Sequence, residues 1–451
     1  MRILLAFLSL IFVPFATLAQ ERTFRLAPFV ADVTPPISHA CMGGGIKPIT
    51  KIGDPLFAHG FVLLSDQKPI VVVSVDWCEI RNDAYERWRE VLAKAANTDK
   101  ERVLVSAIHQ HDAPIADLEA QRLLDKAKAK GSICMLDFHE KAVQGVARAL
   151  TASLKDAKTI THYGVGEAKV EKVSSNRRYL GPDGKPRFNR TSATRDPKVR
   201  EAEDGLIDPW LKTLSFWNGD KAILALSAYA VHPMSYYGTG IASADFPGLA
   251  RKRRLSDDTD VMQIYASGCS GNVTAGKYND GAPENRAVLA DRIYQGMVEA
   301  WKATKRHPLK EVGFKNEKLR LEPRDGPGFT VADLQKKLEN GPRPFDQCLA
   351  ALGLSWRLRA DKGATIDVPA LSFGKAHLVL LPAEAYVEYQ LLAQKTRPDS
   401  FVVVMGYGES APGYIPTEQH VRERDGNLSD WNWVAPGAEE RIADVLKKIL
   451  K

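Results

Sequence analysis

Val103-Leu104-Val105-Ser106-Ala107-Ile108 runs directly into His109-Gln110-His111-Asp112. The first six residues form a short apolar, β-branched run of the kind that fills a buried strand. The next four are polar and carry two imidazoles. Open α/β sheets bind ligands at the carboxyl ends of their strands. A neutral imidazole delivered there serves as a metal ligand or a general base. The same pattern recurs. Residues 222–231 end at His232-Pro233, and 261–266 end in Ser267-Gly268-Cys269-Ser270-Gly271-Asn272. Residues 377–381 end at Pro382-Ala383-Glu384, and 401–404 end in Gly406-Tyr407-Gly408.

Between these runs the periodicity changes from two to that of a helix. Amphipathic stretches predict helices over 82–96, 118–129, 137–155, 282–305 and 438–450. Residues 61–64 and 70–75 predict strands paired across Asp66-Gln67-Lys68. The pattern predicts a mixed α/β fold with a β-sheet core, flanking helices and a site at the strand ends. One large domain is expected over residues 20–451. Residues 174–208, rich in Arg, Asn, Gly and Pro, predict a long surface loop, and long loops in compact domains are often functional. The stretch 323–344 predicts an insertion, and no internal repeat is visible.

Residues 1–19 read as an export signal: Arg2, an apolar stretch over 3–12, then small residues before Gln20. A soluble exported protein, periplasmic or secreted, is expected. Five cysteines (Cys41, Cys78, Cys134, Cys269, Cys348) leave at least one thiol unpaired and contain no Cys-x-x-Cys. The formal charge of +7 is spread over mixed-sign residues, which argues against nucleic-acid binding. It is compatible with weak contact with an anionic membrane surface. Oligomeric state leaves no mark in the sequence.

Two imidazoles and a carboxylate suit a catalytic zinc site with an open position for water. His109, His232 and Glu384 are such a set, although Glu384 also suits the first turn of a following helix. Glu388 lies one turn beyond it. Asp245 suits a helix N-cap as well as a site. Gly268-Cys269-Ser270-Gly271 lacks the Gly-x-Ser-x-Gly spacing of a nucleophile elbow, so a serine hydrolase is disfavoured.

Further segments carry a resemblance. They are Val30-Ala31-Asp32-Val33-Thr34-Pro35-Pro36, Asp54-Pro55-Leu56-Phe57-Ala58, Val73-Ser74-Val75-Asp76 and Ser106 to Pro114. Ala230-Val231-His232-Pro233, Gly271-Asn272-Val273-Thr274, Leu381-Pro382-Ala383-Glu384 and Gly413-Tyr414-Ile415-Pro416-Thr417 follow in order. In these the chain resembles the catalytic domain of the neutral/alkaline (non-lysosomal) ceramidase family. The resemblance implies a zinc amidohydrolase that splits the N-acyl bond of ceramides, with one zinc per chain. It implies His109, His232, Glu384 and Tyr414 as metal ligands, with Tyr407 as the alternative tyrosine. It implies His111 facing the substrate carbonyl, Arg177 positioning the substrate, and Thr274 at the place of a family serine. Asn272 stands where the family has aspartate. The family's C-terminal immunoglobulin-like domain is not expected here. The expected substrate is ceramide or a ceramide-like N-acyl lipid. The alternatives are a related zinc hydrolase of another small amide or ester, and a non-catalytic exported binding protein with a degenerate site.

Overall fold

A computed structural model describes residues 23–451, so the expected signal segment 1–19 lies outside the described residues. Three sheets form the frame. The first has five strands in the order Val103–Ala107, Ile70–Val75, Phe57–Leu64, Phe24–Asp32, Lys158–Ile160. The second also has five: Met262–Ser267, Lys221–Tyr229, Trp210–Asn218, His162–Lys169, Lys305–Pro308. The third has four: Gly313–Leu319, Ile366–Phe373, Ala376–Leu380, Phe401–Met405.

Strand alternation shows how they pack. Along Ile70–Val75, Ile70 and Val72 face a core shared by all three sheets. Val71, Val73 and Val75 face the opposite way, under helices. A strand buried on both faces reads as a continuous apolar run, and this one does. The shared core also takes Phe61 and Leu104 from the first sheet, Phe216 and Leu226 from the second, and Leu378 and Val403 from the third.

Each sheet contains the same unit, an antiparallel hairpin, a helix and a returning parallel strand. In the first the helix Asn82–Ala96 joins Ile70–Val75 to its parallel partner Val103–Ala107. In the second Asp245–Asp257 joins Lys221–Tyr229 to Met262–Ser267. In the third Val387–Thr396 joins Ala376–Leu380 to Phe401–Met405. The sequence shows no repeat because each unit needs only the pattern of apolar residues, which many sequences satisfy.

The expected helices form at Asn82–Ala96, Leu118–Ala127, Leu136–Ser153, Asn285–Lys302 and Ala438–Leu450. One expectation needs correction. The stretch 174–208 is not merely a surface loop: it contains the hairpin Tyr179–Leu180/Pro186–Arg187, and its Arg177 and Arg190 are buried. The stretch 323–344 contains the helix Val331–Asn340, which packs Leu334 and Leu338 into the core around the third sheet. All five cysteines are free thiols and all are buried. Among the described residues, no helix is long and apolar enough to cross a membrane.

Candidate metal centre

The carboxyl ends of the three parallel pairs meet, and backbone hydrogen bonds lock their loops together. Ala107 N–H donates to Tyr407 O, and Gly406 N–H to Ser267 O. His109, Ala383 and Tyr407 adopt left-handed backbone with φ of 68°, 55° and 53°. For residues with a Cβ this conformation costs about 1–2 kcal/mol each. It persists where the surroundings over-determine it, and such strain gathers at functional sites. The left-handed turn at His109 breaks the strand line so that the imidazole points inward.

His109, His232 and Glu384 converge in a fully buried group. His109 Nε2 lies 3.1 Å from His232 Nε2, and Glu384 Oε2 lies 3.0 Å from His232 Nε2 and 3.3 Å from His109 Nε2. The tautomers follow from the other ring nitrogens. His109 Nδ1 faces Cys78 O at 3.1 Å and His232 Nδ1 faces Ser270 O at 2.5 Å. A carbonyl oxygen only accepts, so both Nδ1 atoms donate and both Nε2 atoms present lone pairs. Three acceptors thus face one point with no proton between them. A tetrahedral zinc with bonds of about 2.0–2.1 Å separates its ligands by about 3.3–3.4 Å, close to the observed spacings, so this donor set fits zinc. Burial pushes the His232 imidazole down to about 4, and Arg177 adds to this.

Tyr414 arrives on a two-residue parallel ladder in which Glu384 and Tyr414 are register partners. Glu384 therefore belongs to this ladder, and the helix after it begins at Val387. The Tyr414 hydroxyl accepts from Arg177 Nη1 at 2.8 Å and also contacts the Glu384 carboxylate. Tyr407 lies elsewhere. Its ring stacks on His109 at 4.2 Å between centroids. Its hydroxyl contacts Ser270 Oγ at 2.7 Å and His232 Nδ1 at 3.3 Å, behind the imidazole's metal-facing edge. Tyr414 is thus the tyrosine on the acceptor side of the group.

His111 is packed edge-on to His109 and Tyr237, with ring centroids 5.3 and 4.9 Å away. Burial keeps its imidazole neutral, and its Nδ1 has no partner. Arg177 is buried against the Tyr414 ring, and its backbone N–H donates to Asn272 O. Thr274 does not join the group. Its hydroxyl donates to Thr191 O at 2.8 Å and accepts from Gly276 N–H at 3.1 Å, so backbone consumes both its capacities. Asn272 bridges two elements: its Oδ1 accepts from Val387 N–H and its Nδ2 donates to Glu388. Glu388 is held there, away from the three acceptors. Asp245 is the first helical residue rather than the cap, and accepts from Ser235 and Phe246.

Cys78 and Glu79 escaped sequence reasoning. Glu79 is buried, lies 3.8 Å from His109 Nδ1, and pairs with Arg81 at 2.8 Å. Burial raises its carboxyl. Glu79 follows the second hairpin strand of the first unit, just as His232 and Glu384 follow theirs in the other two. The strand-end logic that found His109 would have found it if applied to Ile70–Val75. Cys78, His109 and His111 form a second candidate group, but there His109 Nδ1, the ring atom nearest the Cys78 sulfur, already donates to Cys78 O, and burial raises the Cys78 thiol. A cavity of about 40 Å³ opens on His109 and Glu384 between Met42, Ile115, His111, Tyr414 and Trp431.

No protein-family model matches the chain, and no curated protein matches it in sequence. Solved structures do match. The chain is similar to the crystal structure of neutral ceramidase from Pseudomonas aeruginosa, with a TM-score of 0.68 and 18% identity over 96% of this chain and 75% of that one. It is similar also to a structure described as ceramidase complexed with C2, with a TM-score of 0.67 and 18% identity over 95% and 74% of the two chains. At this identity the likeness speaks for the fold alone. The three-sheet frame whose strand ends carry His109, His232 and Glu384 is the fold of the neutral ceramidases.

Proposed function

We propose that this protein is an exported zinc-dependent amidohydrolase that cleaves the N-acyl bond of a ceramide-like lipid. The observation that carries the reading is the triangle of three bare acceptors with sides of 3.0–3.3 Å. Without a cation the arrangement is repulsive. The solved structures sharing the fold are described as ceramidases, which supports the choice of substrate class.

In this reading His109, His232, Glu384 and Tyr414 hold one zinc ion. When bound, it would polarise the amide carbonyl and lower the pKa of water at the open position. The chain's own residues do the rest. Glu384 supplies an anion that offsets half of the cation's charge. His111 stays neutral, so an N–H of its ring donates toward the carbonyl oxygen as charge develops there. One such donor is worth about 3–4 kcal/mol. Arg177 fixes the Tyr414 hydroxyl and, as a buried cation, favours anionic character nearby. Met42, Ile115 and Trp431 form the apolar wall that receives the carbons next to the amide and excludes water. Residues 1–19 act as the export signal, and any membrane contact is peripheral and weak.

The cavity's small volume favours a second reading, hydrolysis of a small amide or ester. Two measurements decide between them. Elemental analysis of the purified protein should give one zinc per chain. N-acyl sphingosines should turn over faster than N-acyl amino acids and model esters of equal acyl length. Absence of stoichiometric metal would refute the catalytic reading, and preference for small substrates would refute the lipid.

A further inference from the structure

A second cavity, of about 290 Å³, lies between the strand Phe57–Leu64 and the helix Asp245–Asp257. It shares no lining residue with the metal centre. Pro55, Phe57, Ala244, Leu249 and Leu255 make its walls apolar. One polar side chain inside it is left over. His59 is only 7% exposed, and its Nδ1 is walled off without a partner. Among the described residues no group reaches its Nε2 either. Nδ1 is sealed from the cavity as well, so the ring atom open to a bound molecule is Nε2, which no described protein group satisfies.

We infer that this cavity binds a neutral amphiphile, a primary alcohol with an apolar chain of roughly eight carbons. Its size sets the body: an engineered cavity of about 150 Å³ holds benzene, and this one is about twice as large. The polar group is set by His59. Burial, reinforced by Arg251, pushes its imidazole down to about 3, so the ring is neutral. A neutral ring offers one donor and one acceptor, and a hydroxyl, which both donates and accepts, complements either tautomer. A charged head group finds no net counter-charge. The Arg251 guanidinium is already used by Asp76 in two hydrogen bonds of 2.6 and 2.7 Å. Asp54, which accepts from Ala244 N–H, and exposed Lys252 both line the cavity, so the formal charges around it sum to zero. Desolvating a carboxylate or an ammonium there would therefore go uncompensated.

The site is linked to the metal centre through one wall. Asp76, held by Arg251, accepts from Gln110 Nε2 at its carbonyl, and Trp77 O beyond it accepts from His109 N–H. The test does not depend on catalysis. Titration calorimetry of the full chain with 1-octanol, octanoate and octylamine reads the site directly. 1-Octanol should bind at least tenfold more tightly than the two charged probes. Leu249→Trp, which fills the cavity from its half-buried rim, should abolish 1-octanol binding, as should Leu255→Trp if the first variant unfolds. His59→Phe keeps the shape and removes the polar group, and should weaken 1-octanol about fivefold, the size of one hydrogen bond. Unchanged 1-octanol affinity in Leu249→Trp or His59→Phe, or octanoate binding as tightly as 1-octanol, would overturn the inference. None of these outcomes bears on the zinc content that decides the amidase reading.

Discussion

Replacing His139 by Phe should remove a measurable share of this protein's sensitivity to acid. His139 lies on the helix Leu136–Ser153, is buried near Trp77, and has a partner on neither ring nitrogen. Burial pushes its imidazole from 6.5 down to about 4. The sign follows from proton counting. Below pH 6.5 the unfolded chain binds a proton that the folded chain refuses until about pH 4. Stability is therefore intact at neutral pH and falls as pH drops through that window. For one group with these two values the loss is about 2 kcal/mol between pH 7 and pH 5, and about 3 kcal/mol by pH 4. His139→Phe keeps an aromatic ring in place and deletes the titration. Urea unfolding at a series of pH values measures it. The variant's stability should drop about 2 kcal/mol less than the native protein's between pH 7 and pH 5. At pH 7 it should be no less stable, since two orphaned polar atoms have become ring carbons. His59 and His377, pushed down to about 3 and about 4 mainly by burial, leave a residual slope of the same sign. An unchanged slope in His139→Phe would refute the reasoning.

Other outcomes follow from the centre and its supports. His109→Ala and His232→Ala should each lose bound zinc by elemental analysis while the far-ultraviolet circular dichroism stays native. Normal zinc stoichiometry in either would remove it from the ligand set. Glu79→Gln should weaken zinc about 10–100-fold in chelator competition, the usual effect of altering a carboxylate behind a ligating imidazole. Unchanged affinity would show that Arg81 alone holds that wall. Trp431→Ala should raise kcat/KM for long acyl chains relative to short ones, and an unchanged ratio would place the acyl chain elsewhere. Asn272→Ala should cost about 1–2 kcal/mol in urea unfolding by orphaning Val387 N–H and Glu388. A neutral result would mean that water replaces the bridge.

Much of this protein is written locally. Near-continuous apolar runs along 70–75 and 103–107, interrupted only by Ser74 and Ser106, report strands buried on both faces, because a sheet covered on both sides leaves few places for polar side chains. An apolar run that stops at polar residues puts His109 at a strand end, and the same punctuation exposes His232 and Glu384. Periodicity of the amphipathic kind places the helices that cover the outer faces. What local pattern cannot report is coincidence in space. His109 and His232 stand 123 positions apart, and His232 and Glu384 152. Only the packing of three sheets around one core brings their lone pairs to a common point. The choice between Tyr414 and Tyr407 is of the same kind, since both follow a strand and only the ladder to Glu384 turns one hydroxyl inward. Glu79 owes its place to the first sheet, and Thr274 loses its hydroxyl to backbone that approaches from residues 191 and 276. Secondary structure answers to neighbours in the chain, which the sequence displays; a metal cage answers to distances below 4 Å between remote segments, and these exist only once the core has closed.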